Sequence, residues 1–588
     1  MPTVPPQRPR APRRRIARWI LLGFVVLVAM FGAALAWDLW SLRSAASDLT
    51  QHARSAQAAV TARDADALAS EVVLLQDAAD QFSSHSSGPH WTVASWLPWL
   101  QNQTVPLQQA GASVHAVAHD ALEPLAEGGS LSALESPPIA DGRIDPSVLE
   151  PFRARLEQAA RVLSEQSRAL STVDLSGSMS LVQDNYGDLE SQVGELRALV
   201  QGAHVAAELL PPMLGAEGPR TYLVMVQNNA EPRTTGGIPG AVLEVEVQDG
   251  RFALVGYSAA GAMANPSGVD VDLTDDEHRL FTERMAIYPQ DVNFTPEYPR
   301  SAELMAAFWR ETYGDDVDGV LSLDPVALGF MLEGMPATEI AGVTVTSDNL
   351  AEVMMRDSYV LFPEPEQSDA FFARAAHSLF GVLLSGTTNT VAGVERSIEA
   401  GRFALWSADE SEQELLATTD VSGAFLQHTD ALGIFINDGS GSKIGYYIDT
   451  RVSVADHACG ASALGGQTVT VTLAHTYDGA VSDLPEYVAG GWLEPAGEFH
   501  ANVLLYPAVG TGVQGASLEG APAQMFTSTH DGRPFTSVRV ALSPGDEVIL
   551  EYDLAANAAG VDPPTTIITP GPRDGDVDHI RGVAWSNC

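Results

Sequence analysis

Apolar and polar positions obey different rules in successive stretches of the chain, and each rule predicts a different kind of element. Residues 1–15 are rich in Pro and Arg and have no apolar period, as expected of a disordered cytoplasmic tail. An unbroken run of 19 apolar and small residues follows, bracketed by Trp19 and Trp37. A helix needs about 20 such residues to cross ~30 Å of hydrocarbon, so residues 16–38 are expected to form a transmembrane helix. From Leu42 to about Leu210 the period is helical. Leu68, Val72, Leu75, Ala79 and Phe82 recur at spacings of 4, 3, 4 and 3, Leu149, Phe152, Leu156, Ala159 and Leu163 do the same, and Val182, Tyr186, Leu189, Val193, Leu196 and Val200 repeat it. Such stripes must be buried, and packing against one another gives an extracytoplasmic helical bundle, or stalk, over residues 39–214. Trp91, Trp96 and Trp99 are expected to pack at the base of that bundle, with contact to the outer leaflet as the alternative.

Pro211-Pro212 closes the helical region, and residues 215–219 act as a hinge. Strand and helix patterns then alternate. Residues 241–247 and 252–257 flank Asp249-Gly250, the signature of a hairpin with a tight turn. Residues 301–312 read as a helix, 317–323 as a strand and 325–332 as a helix, with further helices at 348–359 and 369–384. Alternation of this kind predicts a central αβα domain, a sheet covered by helices, over residues 215–438. From Gly445 onward the texture is strand after strand, at 446–454, 467–473, 499–506, 537–542 and 547–554, with Gly, Pro and Asp between them. That spacing predicts a β-sandwich over residues 439–588. The fold class is therefore α+β and multidomain.

One stretch inside the central domain is crowded with functional groups. Leu223, Val224, Met225 and Val226 form a run of strand length, and the next strand begins at Ala241, so residues 227–240 are expected to be a polar loop held between rigid elements. Asn228 and Asn229 offer amide donors and acceptors, Glu231 a carboxylate, and Arg233 a planar fork suited to carboxylate or phosphate. Gly236 and Gly237 allow close approach of the backbone. The pattern Gln-Asn-Asn-Ala-Glu-x-Arg-x-Thr-Gly-Gly, here Gln227 to Gly237, resembles the hallmark of an uncharacterised bacterial envelope family, a domain of unknown function. The resemblance implies a place in the cell envelope and no particular chemistry.

Charge sharpens the topology. Arg8, Arg10, Arg13, Arg14, Arg15 and Arg18 precede the apolar run, whereas residues 39–588 hold 26 basic and 74 acidic residues, a balance of −48. The positive-inside rule then places the N-terminus in the cytoplasm and the bulk outside. A cleaved signal peptide is the competing reading, since Ala34-Leu35-Ala36 fits a cleavage site. The acidic surface repels phosphate backbones, so nucleic acid is excluded as a partner, and membrane lipid is expected only at residues 16–38. Two cysteines, Cys459 and Cys588, both lie in the outer portion, and an even count in an oxidising compartment predicts a bridge between them. Lys443 is the only lysine in the chain.

Familiar catalytic motifs are missing, and no metal site is read from the sequence. There is no His-Glu-x-x-His, no phosphate-binding Gly-x-x-x-x-Gly-Lys, no Gly-x-Ser-x-Gly and no cysteine cluster. Asp270, Asp272, Asp275, Asp276 and Glu277 lack the turn glycine of a calcium loop and read as a solvated acidic loop. Gly439 to Lys443 precedes a strand, which removes it as a phosphate loop. What remains is a dispersed candidate set: Arg233 with Glu231, then Arg300, Arg356 with Asp357, and Asp369 with Arg374.

The order of these residues is similar to that of the LytR-CpsA-Psr enzymes, which transfer polymers from a lipid pyrophosphate to the cell wall. Residues 318–324 with the following helix, and Arg356 with Arg374 after Asn349, look like the later half of that domain. The resemblance implies two arginine forks and a carboxylate-held Mg²⁺ on pyrophosphate. The family's Arg-x-Asp-Thr is replaced here by Arg233-Thr-Thr-Gly, which leaves the metal to Glu231, Asp357 or Asp369. Three readings follow. The first is an envelope scaffold or binding module for cell-wall or envelope polymer, with no required cofactor. The second is a Mg²⁺-dependent transferase acting on polyprenyl-linked glycopolymer, and the third is a small-molecule sensor. The sequence leaves open whether the chain is an enzyme.

Overall fold

The computed structural model describes residues 13–62, 65–126, 139, 142–459, 463–555, 565–573 and 577–584. Residues 1–12 of the tail expected over residues 1–15 lie outside the described residues, while 13–15 are helical backbone and not disordered tail; the side chains of residues 13–29, Trp99 and Cys459 and all of Cys588 also lie outside the described residues. The chain divides into two compact units, one of Met1–Glu135 with Val148–Glu208, the other of Ser136–Ser147 with Leu209–Cys588.

The first unit is helical. Its elements are α1 (Arg13–Ala62), α2 (Ala65–His85), α3 (Pro89–Ser95), α4 (Pro98–Ala116), α5 (Glu123–Ala126), α6 (Arg153–Ser171) and α7 (Ser180–Met213), with π-helical Val117–Leu122 between α4 and α5. The apolar stripes are buried as their period requires: Val72, Ala79 and Phe82 on α2, Leu156, Ala159 and Leu163 on α6, Tyr186, Val193 and Val200 on α7. Tyr186 Oη donates to the Leu170 carbonyl at 3.1 Å and ties α7 to α6. The tryptophans separate. Trp91 is 1% exposed and donates from Nε1 to Asp38 Oδ2 at 3.1 Å, whereas Trp96 is 75% exposed. Backbone helix runs through residues 19–37 within α1. Among the described residues no helix is long and apolar enough to cross a membrane, and the side chains over most of the expected span lie outside those residues.

The second unit is built on sheets. In chain order the strands are β1 (Arg220–Arg233), β2 (Gly236–Gln248), β3 (Arg251–Ala259), β4 (Gly319–Leu323), the small hairpin β5 (Thr338–Ile340) and β6 (Val343–Val345), and β7 (Phe403–Ser407). They are followed by β8 (Leu432–Asp438), β9 (Ile448–Cys459), β10 (Ala463–His475), β11 (Phe499–Tyr506), β12 (Val513–Leu518), β13 (Ala521–Pro522), β14 (Phe526–His530), β15 (Arg533–Leu542), β16 (Glu547–Leu554), β17 (Thr566–Ile568) and β18 (Val577–Ala584). The first sheet has the order β3-β2-β1-β4-β7, with β1 antiparallel to β2 and parallel to β4. Leu223, Met225, Val242 and Val320 from this sheet share a core with Leu304, Met305 and Phe308 of the helix Tyr298–Tyr313. Each such side chain, fully buried, contributes about 1.5–3 kcal/mol. Asp249 and Gly250 turn β2 into β3 with φ of 49° and 74°, the tight turn that this dipeptide predicts.

Two further sheets, β13-β12-β16-β10-β9-β18 and β14-β15-β11-β8-β17, close over one core. Val469, Val471 and Leu473 of β10 meet Ile434 and Ile436 of β8 and Val503 and Leu505 of β11 there, so the expected sandwich forms. It begins earlier than the expected boundary at residue 439, because β8 lies between β11 and β17. The central sheet and the sandwich also belong to one compact unit. Residues 142–147, expected in the bundle, return to that unit as a strap: Arg143 Nε donates to the Asp249 carbonyl at 2.6 Å and Ile144 N to the Gly250 carbonyl at 3.0 Å. Part of the expected acidic loop is the helix Asp275–Leu280, closed by a capping box between Thr274 and Glu277, and Glu277 is buried.

Candidate functional site

The hallmark is not a loop. β1 continues through Asn228, Glu231 and Arg233, turns at Thr234 and Thr235, and returns as β2 from Gly236. Gln227 pairs with Pro239 and Asn228 with Ile238, and then the register jumps to Pro232 opposite Gly237, which leaves residues 229–231 as a bulge. Bulges of this kind re-aim side chains without ending the strand. Both glycines are required by contact. A Cβ on Gly237 would stand 2.2 Å from the Asn228 carbonyl, and one on Gly236, at φ 139°, would stand 2.1 Å from Gln227 Oε1.

Every polar side chain of the hallmark turns inward. Gln227 donates from Nε2 to Ser322 Oγ at 2.5 Å and accepts from Gly237 N at 3.0 Å. Asn228 Nδ2 donates to Tyr359 Oη at 2.7 Å, and its Oδ1 accepts from Ala230 N at 3.0 Å. Asn229, fully buried, donates from Nδ2 to Asp324 Oδ2 and to the Pro570 carbonyl, each at 3.0 Å. Thr234 N donates to Asn437 Oδ1 at 2.9 Å, and Thr569 Oγ1 donates to the Thr234 carbonyl at 3.0 Å. The hairpin tip is thereby fastened to β8 and to the segment after β17.

A buried set of charges lies at this junction. Arg233 Nη2 is 3.1 Å from Glu231 Oε1 and 3.5 Å from Asp291 Oδ1, Nη1 is 3.9 Å from Asp438 Oδ2, and the guanidinium sits 4.9 Å from the Phe294 ring centroid. Lys443 Nζ donates to the other oxygen of Glu231 at 2.7 Å. Burial alone would raise the carboxyl of Glu231, but Lys443 and Arg233 outweigh it and hold the group below the usual carboxylate range. Burial likewise opposes the charge on Lys443 and Arg233, and their carboxylate partners overcome it, keeping both protonated. Asp438 behaves differently. Burial and the charge of Glu231 push it up to about 6, with Arg233 pulling the other way. Among the described residues, Asp438 Oδ1, Arg233 Nε and Ser442 Oγ have no hydrogen-bond partner, an expensive arrangement for buried polar atoms.

A second pair reinforces the first. Asp324 accepts from Arg402 Nη1 at 2.6 Å, both side chains being 2% exposed, and caps the helix Pro325–Met331 by accepting from Ala327 N at 2.8 Å. Arg402 also donates to the carbonyls of Gly571 at 3.0 Å and Arg573 at 2.7 Å. One carboxylate thus joins β1, β4, the following helix and the C-terminal segment.

The remaining candidate residues have other partners. Arg300 pairs with Glu277 at 2.8 Å and Glu303 at 2.7 Å and donates to the Asp272 carbonyl at 2.7 Å. Arg356 pairs with Asp357 at 2.7 Å and with Glu352, and faces the Tyr446 ring. Arg374 and Asp369 are exposed on the helix Pro365–Leu383, where partial burial and Glu366 raise the Asp369 carboxyl. Arg233, Arg300 and Arg356 therefore have separate carboxylates. Among the described residues, Glu231, Asp357 and Asp369 do not form a cation-sized cluster.

Asp291, Asp324, Arg402, Asp438 and Lys443 also carry the site, and none of them is among the candidate residues read from the sequence. Lys443 had a signal of its own, being the one lysine of a chain whose other basic residues are all arginine. No curated protein and no solved structure matches the chain. Residues 217–359, which contain the whole hallmark hairpin and end at the hydroxyl partner of Asn228, match the family model described as protein of unknown function (DUF4012).

Proposed function

We propose that the chain is a membrane-anchored, extracytoplasmic component of the cell envelope, and that its second unit is a scaffold or binding module for envelope polymer. One observation carries the choice against catalysis. Arg233, the residue best suited to bind a phosphate, is 6% exposed at its side chain and faces Glu231, Asp291 and Asp438. An arginine already neutralised by carboxylates has little potential left for a pyrophosphate. The anchoring half of the reading is supported by six arginines ahead of the apolar run and the acidic balance beyond it.

A transferase of the LytR-CpsA-Psr kind needs arginine forks and a metal-holding carboxylate on one ligand. Here Arg233, Arg300 and Arg356 are each engaged by their own partners. The test is direct. The purified full chain in detergent is incubated with a polyprenyl-pyrophosphate-linked oligosaccharide, Mg²⁺ and isolated cell wall, and both wall-bound protein and transferred saccharide are measured. Co-sedimentation with the wall and no transfer is the expected result. Saccharide transfer that is lost in Arg233→Lys would overturn the scaffold reading.

A further inference from the structure

The helical unit holds a cluster that the scaffold reading does not use. His115 is on the last turn of α4 and His119 in the π-helical segment that continues it, four residues on, so both imidazoles leave the same face. Their ring centroids are 4.6 Å apart. Asp80 of α2 faces them, with Oδ1 2.9 Å from His119 Nε2 and 3.3 Å from His115 Nε2. The three ligand atoms all lie within 4.8 Å of one another. Around a tetrahedral ion with bonds of ~2.0–2.1 Å, donor atoms stand roughly 3.3–3.5 Å apart, so this set needs only small adjustments to enclose one.

The surroundings are those of a ligand histidine. Glu123, a further turn along, places Oε2 3.2 Å from His119 Nδ1, and the same oxygen accepts from Gln76 Nε2 at 3.1 Å. A carboxylate behind the imidazole fixes the tautomer that leaves Nε2 free to bind a metal. His119 therefore has a carboxylate oxygen at each ring nitrogen. A neutral imidazole has one N–H for the two, so the contact at Nε2 requires either a second proton or a cation. His115 Nε2 points at the same Asp80 oxygen.

We propose that Asp80, His115 and His119 are the protein ligands of a divalent transition-metal site, with Glu123 as the outer carboxylate and one position open to water. Two imidazoles and a carboxylate select Zn²⁺ and its first-row neighbours over Mg²⁺ and Ca²⁺, which take oxygen donors. The site lies on exposed helix faces, with Asp80 54% and His115 47% exposed at the side chain, so a hydrated ion can reach it. Because its ligands come from α2 and from the α4 segment, a bound ion also cross-links two helices of the unit.

The test uses the full chain in detergent, stripped with chelator and then loaded with ZnCl₂ or, for spectroscopy, CoCl₂. One Zn²⁺ per chain is expected to survive gel filtration, MgCl₂ in excess should not displace it, and Co²⁺ should give the intense visible bands of a four- or five-coordinate site. His115→Gln with His119→Gln should abolish this binding while helix content by circular dichroism is unchanged. Glu123→Gln should keep the stoichiometry and weaken affinity by about 10–100-fold. Only weak octahedral Co²⁺ absorption in the unaltered chain, or Zn²⁺ retained by the double variant, would overturn the proposal and leave an ion-pair cluster. The Co²⁺ spectrum needs no variant, so a double variant that fails to fold does not remove the test.

Discussion

Lys443 Nζ lies 2.7 Å from Glu231 Oε2, and both side chains are buried, so the only lysine of the chain ends inside the hallmark. A buried ion pair is weak evidence for net stability, but removing one partner leaves an uncompensated charge in the interior. Lys443→Met is expected to destabilise the second unit by about 3–5 kcal/mol, measured as a lower denaturant midpoint. Joining it to Glu231→Gln should recover part of that loss. A variant as stable as the unaltered chain would mean that Glu231 is satisfied by Arg233 alone.

Gly237→Ala is expected to abolish soluble expression. Its methyl would stand 2.2 Å from a main-chain carbonyl that the bulge holds in place, and no side-chain rotation relieves that contact. Gly240→Ala is the control. There the nearest atom is 3.9 Å away, so the folded protein should accumulate normally.

Glu297 gives a pH dependence of definite sign. Its Oε2 accepts from Leu426 N at 2.8 Å, and burial pushes its carboxyl up to about 7, with Asp531 adding to the effect and Leu426 N–H and Arg533 opposing it. The unfolded chain releases this proton near pH ~4.3, so the folded state holds the extra proton between the two values, and stability falls as pH rises through that window. Glu297→Gln stays neutral throughout. It should match the unaltered chain below pH ~4.3 and exceed it above pH ~7, by at most about 4 kcal/mol in thermal unfolding. A constant difference at all pH values would show that the carboxyl titrates alike in the folded and unfolded chain, and would overturn this assignment.

The expected Cys459–Cys588 bridge lies outside the described residues and is a matter for experiment. β18 runs parallel to β9 with Ala584 opposite Ala458, which brings the last described residue of the chain beside the neighbour of Cys459. Closing a loop of roughly 130 residues contributes up to ~4–5 kcal/mol in the chain-entropy model. Peptide mapping without reductant should recover the linked pair. Recovery of both cysteines as free thiols from protein exported by intact cells would refute it.

Much of this architecture was legible because its periods are clean. The stripe through Leu156, Ala159 and Leu163 and the Asp249-Gly250 turn have local causes, and the structure realises both. β8 escaped notice for a physical reason. It is buried along its whole length, with Ile434 and Ile436 in the sandwich core and Phe435 against Phe425 and Tyr506, so it has no polar face to alternate with. The hallmark was legible as an unusual string, but its direction was not. Polarity predicted exposure, whereas partners 58 to 341 positions away, from Asp291 to Pro570 and with Lys443 among them, make burial affordable. The Asp80–His115–His119 cluster is not legible for a related reason: His115 and His119 are four residues apart, but Asp80 is supplied by another helix.

The strap at residues 142–147 sets an order of events during synthesis. Arg143 leaves the ribosome 106 residues ahead of Asp249, whose carbonyl it binds, and at about 5–20 residues per second the wait is roughly 5–20 s. Throughout that interval the flanking helices can pair while the strap has nothing to hold. A fragment starting at Leu209 would never receive it, and would have to keep the Asp249-Gly250 turn closed without the bonds from Arg143 and Ile144. The second unit is therefore a fold that the ribosome delivers in two instalments, and its boundaries in space cannot be cut from one continuous piece of chain.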